Sequence, residues 1–190
     1  MPRKKKFTVE DLYHQTHLLL MKVGYDQFTF SLLADELSVS RAAIYKYYSN
    51  KDVLISDYLT FEMKKLLEEF DQMEWSSDRE EHFNQLFELI FNYSDVHQLS
   101  NVFTQKMKMK HEKIQFKENI SKELHERFFG HIQSFILSCQ ETGFIKKELP
   151  ANLLINMIFH SVMINTSSDL TQKERAGYIR EILAHGMFQK

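Results

Sequence analysis

Residues 38–54, SVSRAAIYKYYSNKDVL, set a guanidinium (Arg41), two ammonium groups (Lys46, Lys51) and the phenols of Tyr45, Tyr47 and Tyr48 around two bare alanines, Ala42 and Ala43. Arginine offers a planar fork that matches paired acceptors, and phenol and ammonium groups donate to phosphate oxygens. Small residues beside them allow a backbone to come close to a flat partner. This is the chemistry of recognition, and the partner it suits is the edge and backbone of a nucleic-acid duplex. Motifs for bond-making are absent from the sequence: it has no Gly-rich phosphate loop, no G-x-S-x-G and no H-E-x-x-H.

Short helices must hold these groups in place. In KKFTVEDLYHQTHLLLMKVGYDQ, Thr8 and Asp11 have the spacing of a capping box, and Phe7 with Leu12 that of a hydrophobic staple. Leu12, Thr16, Leu19 and Val23 recur on one helical face, and Gly24 supplies a left-handed stop, so a helix is predicted from Val9 to Val23. TFSLLADELS is a second helix capped by Thr29, with Ala34 giving room for a close crossing. Ser38-Val39 is a tight link, Ser40 caps a third helix, and Val39 and Ile44 fill the angle between helices two and three. Together these make a helix-turn-helix over about residues 29–48. Ser49, with Asp52 three residues on, is expected to cap a fourth helix.

A recognition helix enters the major groove with its N-terminal residues against the base edges. Ser40, Arg41, Ala42 and Ala43 fall there, with Arg41 able to fork onto guanine. Tyr45, Lys46 and Tyr47 are placed to donate to phosphates; Lys51, at the start of helix four, and Thr29, at the start of helix two, join them. The stretch GYDQFTFSLLADELSVSRAAIYKYYSNKDVL resembles the DNA-binding region of the TetR (tetracycline-repressor-like) family of bacterial transcriptional regulators. The resemblance rests on Gly24-Tyr25, Thr29, Leu33-Ala34, Val39-Ser40, Tyr45, Tyr48 and Lys51, in order and at the family's spacing. Ser38 and Ala42 depart from it, standing where glycine is frequent.

The fold the resemblance implies is all-α: an N-terminal three-helix helix-turn-helix DNA-binding domain (residues 1–50) joined to a C-terminal helical ligand-binding and dimerisation domain (residues 51–190). Scarce Gly (5) and Pro (2) and hydrophobic period agree, with helices expected at about 51–72, 78–93, 97–110, 119–142, 151–167 and 172–188. PANLLINMIFHSVMIN is apolar nearly all round, and a partner subunit is its expected second side. The resemblance makes the last two helices the interface of a homodimer, through Leu154, Ile158, Val162, Ile179, Ile182, Leu183 and Met187.

It also implies a small hydrophobic effector that releases a repressor from a palindromic operator, in a pocket drawn from Phe61, Phe87, Phe91, Phe103, Met107, Phe128, Phe159 and His160. No cofactor and no metal site are expected: His14 and His17 lack a third ligand, and His125 and His131 are poorly aligned. Residues 1–55 carry 8 Lys/Arg against 6 Asp/Glu, the rest 16 against 20, a mildly basic end on an acidic body. Without a signal sequence or membrane span, and with Cys139 as its single cysteine, the chain is expected in the cytosol. Two alternatives stand beside this reading, a helical protein–protein adaptor without DNA binding and a metal-responsive regulator.

Overall fold

The computed structural model describes residues 7–110, 118–164 and 170–188. Those residues form α1 (Val9–Gln27), α2 (Phe30–Glu36), α3 (Arg41–Tyr45), α4 (Lys51–Gln72), α5 (Arg79–Asn92), α6 (Ser94–Lys110), α7 (Glu118–Glu141), α8 (Ala151–Ser161) and α9 (Gln172–Met187). The basic cluster Arg3 to Lys6 and residues 165–169 of the last link lie outside the described residues. The chain divides into two compact units, Met1–Met63 with Leu99–Glu118, and Lys64–Gln98 with Asn119–Lys190.

In the first unit, Thr8 opens α1 with the expected capping box: Thr8 Oγ1 accepts from the Asp11 amide at 3.0 Å, and the Thr8 amide donates to the Asp11 carboxylate at 2.9 Å. Gly24, at φ 73°, breaks the helical path, so the regular helix ends near Val23 and Tyr25 returns into the core. Thr29 caps α2. The α2–α3 turn is closed by the Val39 amide donating to the Ala34 carbonyl at 2.9 Å, over a fully buried Ile44. Ser40 has the extended backbone of an N-cap but makes no side-chain cap bond; its carbonyl accepts the Ala43 amide instead. The cap of α4 is Asn50, whose Oδ1 accepts the Val53 amide at 3.0 Å, in place of the expected Ser49. That arrangement frees Asp52 to face inward, where it is buried.

The second unit is built on aromatic α5, whose Phe83, Leu86, Phe87 and Ile90 are buried, with α7 supplying Phe128, Ile132 and Ile136. α9 packs against α5 and α8, and a short bridge pairs Ile145 with Phe188. α9 starts on a capping box of Thr171 and Glu174. α8 ends at Ser161 rather than near residue 167: the Met163 and Ile164 amides bond carbonyls three residues back, the tightened turn that closes a helix. Its sides are also unequal, with Leu154, Ile155 and Ile158 buried while Leu153 and Met157 stay exposed.

Ser38 holds the left-handed conformation, φ 53°, at the turn between α2 and α3. A Cβ there costs energy that glycine avoids, offset in part by glycine's greater freedom in the unfolded chain. Ser38→Gly should therefore stabilise the protein by about 0.5 kcal/mol, a rise of roughly 1–2 °C in thermal midpoint, measurable by calorimetry.

Candidate nucleic-acid interface

α3 carries its side chains in two directions. Ile44 points wholly inward; Tyr48, just past the helix, is buried too, and its hydroxyl meets that of Tyr13 at 2.9 Å. Burial pushes both of these phenols above their ordinary pKa. Arg41, Ala42, Tyr45, Lys46 and Tyr47 are exposed, and Ala43 is half-buried. The two outward tyrosines are about half exposed, 49% and 51%, because neighbouring rings hold their flanks. The Tyr45 ring meets Phe30 at 5.0 Å, and the Tyr47 ring meets Phe7 at 5.8 Å. The Arg41 guanidinium lies 5.9 Å over the Tyr45 ring. Ring contact of this kind limits rotamer choice, so these groups are held ready for a partner.

Beside them, Thr29, Arg41, Tyr45, Asn50 and Lys51 help to line a recess of about 420 Å³ at the N-terminal ends of α2 and α4. Helix N-termini and cations in one recess favour an anion. Lys51 has a second job that the sequence did not disclose. Its ammonium donates to the carbonyls of Tyr25 (2.8 Å), Asp26 (3.4 Å) and Phe28 (3.1 Å), closing the end of α1, and lies 4.5 Å over the Tyr25 ring. Partial burial lowers its pKa. With three donors facing carbonyls, Lys51 offers the recess its charge more than a spare hydrogen bond.

Behind the recess lies a cluster joining three helices. Asp52 accepts from the Tyr25 hydroxyl at 2.6 Å and from Lys110 Nζ at 2.6 Å, and Lys110 also donates to the Tyr25 hydroxyl at 2.9 Å. One turn earlier on α6, Lys106 pairs with Asp26 at 2.7 Å. The Lys106 hydrogen bond lowers the Asp26 pKa, and the bond to Asp52 raises that of Lys110. Burial, then the Asp52 hydrogen bond, raises that of Tyr25. The last turn of α6 is thereby fastened to the start of α4 and the end of α1.

The residues expected to form a ligand pocket are divided between the two units. Phe61, Phe103 and Met107 belong to the first unit, where Phe61 packs on Tyr13 and Phe103 on Tyr25. In the second unit, Phe128 is core against Phe70, Phe159 stacks on Phe129, and His160 is exposed on α8. Phe87 and Phe91 line a cavity of about 500 Å³ between α5 and α9, where Glu88, Lys173 and Arg180 also contribute. The expected dimer residues differ in exposure. Leu154, Ile158, Val162, Leu183 and Met187 are buried within the chain itself, because α8 turns that stripe towards α9 and the core. Ile179 is half-buried, and Ile182 stands out at 70% exposure. The outward apolar residues that sequence periodicity missed are Leu153, Met157 and Tyr178.

A three-helix head whose third helix faces outward has the form of a helix-turn-helix DNA-binding domain. Residues 12–58 match the family model described as "Bacterial regulatory proteins, tetR family". Residues 12–58 thus carry the DNA-binding region of that family, whose members are transcriptional regulators. Solved structures share the fold over nearly the whole length. The ketosteroid transcriptional regulator KstR2 of Mycobacterium tuberculosis aligns at TM-score 0.64 and 14% identity, over 99% of this chain and 100% of that one. A putative transcriptional regulator from Saccharomonospora viridis in complex with choline aligns at 0.68 and 15%, over 96% and 98%. The fatty acid degradation regulator FadR from Bacillus halodurans aligns at 0.59 and 17%, over 96% and 97%. No curated protein sequence matches the chain. Among the described residues, no helix is long and apolar enough to cross a membrane.

Removing the Asp52 carboxylate leaves Tyr25 and Lys110 without their shared acceptor. Asp52→Ala should cost about 2 kcal/mol. It should lower the thermal midpoint by roughly 4–8 °C in a calorimetric scan, with DNA affinity falling in parallel.

Proposed function

We propose that this regulator is a homodimeric repressor that leaves a palindromic operator when a small hydrophobic ligand binds. Residues 1–50 serve as its DNA-binding domain and residues 51–190 as its ligand-binding and dimerisation domain. The observation that carries the reading is the outward face of α3, with Arg41, Tyr45, Lys46 and Tyr47 exposed beside the recess at Thr29 and Lys51. Arg41 with Ser40, Ala42 and Ala43 reads base edges; Tyr45, Lys46, Tyr47 and Thr29 hold phosphates, which set position without reading sequence. Two heads must reach successive major grooves about 34–36 Å apart, so a ligand that favours a different spacing lowers operator affinity.

Support for a dimer comes from Leu153 (52% exposed), Met157, Tyr178 (55%) and Ile182 (70%) on α8 and α9, large apolar surfaces that water disfavours. The family is usually dimeric. For the effector, we place the seat in the cavity between α5 and α9. There the Phe87 and Phe91 rings stack at 4.5 Å as an apolar wall, and Lys173, Arg180 and Glu88 face a polar end. Among the structural relatives, the Saccharomonospora viridis regulator is in complex with choline, a small organic molecule.

Binding to duplex DNA selected from random sequence tests the reading directly. Lys46→Ala should weaken binding to every duplex alike and reduce the log–log salt slope by roughly 0.9. Arg41→Ala should instead relax preference at one base pair by about 1–3 kcal/mol; uniform weakening would remove its base-reading role. A purified protein with no salt-dependent duplex affinity would favour the adaptor reading. Ile182→Glu should convert dimer to monomer in light scattering, and an intact dimer would move the interface elsewhere.

A further inference from the structure

In the second unit α5 and α9 are tied together on either side of a gap. Gln172, at the start of α9, donates through Nε2 to the Phe91 carbonyl at 3.1 Å and to the Ser94 hydroxyl. Further along α9, Arg180 Nη1 donates to Asn84 Oδ1 at 3.3 Å. Ala176 and Gly177 fall between these ties, and with Phe87 and Phe91 they border the cavity of about 500 Å³. Gly177 has no conformational reason to be glycine, since its backbone is helical. It has no packing reason either, since an added Cβ would meet nothing within 4 Å. Glycine inside a helix costs stability, so its return here is open space beside the two rings. The charges around that space are uncommitted as well. Among the described residues no ion pair ties Lys173, Arg180 or Glu88, and half-buried Arg180 spends one N–H on Asn84 and keeps the rest of its fork.

We propose that this cavity binds an organic monocarboxylate, its carboxylate held by Arg180 and its apolar body laid against Phe87, Phe91 and Gly177. This ligand chemistry rests on the same cavity being the effector seat. Lys173 and Arg180 against Glu88 leave a single net positive charge in the lining, which suits a monoanion. The guanidinium fork matches the two oxygens of a carboxylate, and a fork partly out of water gains more from that partner than an exposed one does. A neutral apolar guest would fill the space but leave the fork without an acceptor. A cation would meet Glu88 at the cost of two like charges in the same lining. Rings and a glycine along one wall admit a flat or extended body without displacing a side chain.

Full-length protein is titrated calorimetrically with cinnamate, decanoate and cinnamamide, the last a neutral match to the first in shape. At least one carboxylate should bind saturably at one per chain, and cinnamamide roughly tenfold more weakly than cinnamate. Arg180→Gln should weaken carboxylate binding by about tenfold and leave the amide unchanged, while Glu88→Gln should tighten it. Gly177→Leu fills the space from a helix that prefers leucine to glycine, so it should abolish binding without lowering the thermal midpoint. Circular dichroism checks folding; should a variant fail to fold, the cinnamate-to-cinnamamide ratio of the unmodified chain decides. No saturable binding of either carboxylate, equal binding of the amide, or affinity that folded Arg180→Gln and Gly177→Leu chains retain would overturn the proposal. Weaker binding by Glu88→Gln would do so too, by making an amine the ligand. Duplex affinity separates the site's chemistry from its role. A carboxylate that binds as described without loosening DNA keeps the chemistry and removes the effector seat, whereas DNA release by cinnamamide but not by the carboxylates keeps the seat and overturns the chemistry.

Discussion

The DNA-reading head depends on one buried carboxylate. Asp52 sits in the first turn of α4, where an acidic residue is favoured by the helix dipole, yet it is turned inward and nearly out of water. A buried carboxylate is stable only when hydrogen bonds replace its lost hydration. Tyr25 and Lys110 supply them, from the end of α1 and the last turn of α6. Gly24 makes this possible, because only its left-handed turn brings Tyr25 back under α4. Asn50 makes it possible too, by taking the capping role that would otherwise hold Asp52 at the helix end.

The same economy governs the outward surface. The phenols on or beside α3 are held in two ways. Tyr48 sends its hydroxyl inward to Tyr13 and helps seat α3 on α1, whereas Tyr45 and Tyr47 are packed at the ring and half exposed. Side chains held this way have little conformational freedom left to lose on meeting a partner. Lys51 shows the limit of assigning roles from charge alone. A lysine at a helix start reads as a phosphate donor, but three backbone carbonyls at the end of α1 lie closer to hand.

Local order was legible in the sequence wherever the cause was local. The Thr8–Asp11 box, the Gly24 stop, the Thr29 cap and the Ser38 turn each act within four residues, and the boundaries of α4 and α7 follow hydrophobic period closely. Facing was not legible where packing decides it. α8 is apolar on every side, so period cannot say which residues are core, and the stripe chosen for a partner, Leu154 to Val162, is the one its own chain covers. The same holds for the aromatic residues. Phe and Met content suggests an adaptable interior, but which rings border empty space depends on contacts between helices distant in sequence, as at Phe87, Phe91 and α9. The His82–His131 contact, joining α5 to α7, belongs to that class as well.

Continuity of the backbone gives the regulatory argument its physical form. α4 and α6 each run unbroken from one compact unit into the other, α4 across Met63–Lys64 and α6 across Gln98–Leu99. In the first unit both helices end on the same few side chains, Asp52 of α4 and Lys106 and Lys110 of α6, against Tyr25 and Asp26 of α1. Relative movement of α4 and α6 therefore has to stretch charge-assisted bonds of 2.6–2.8 Å or carry α1 along. A short ionic contact resists small shifts and yields abruptly to larger ones, which suits two discrete arrangements better than a graded one. Asp52 is thus the residue through which the start of α4 is tied to both α1 and the last turn of α6.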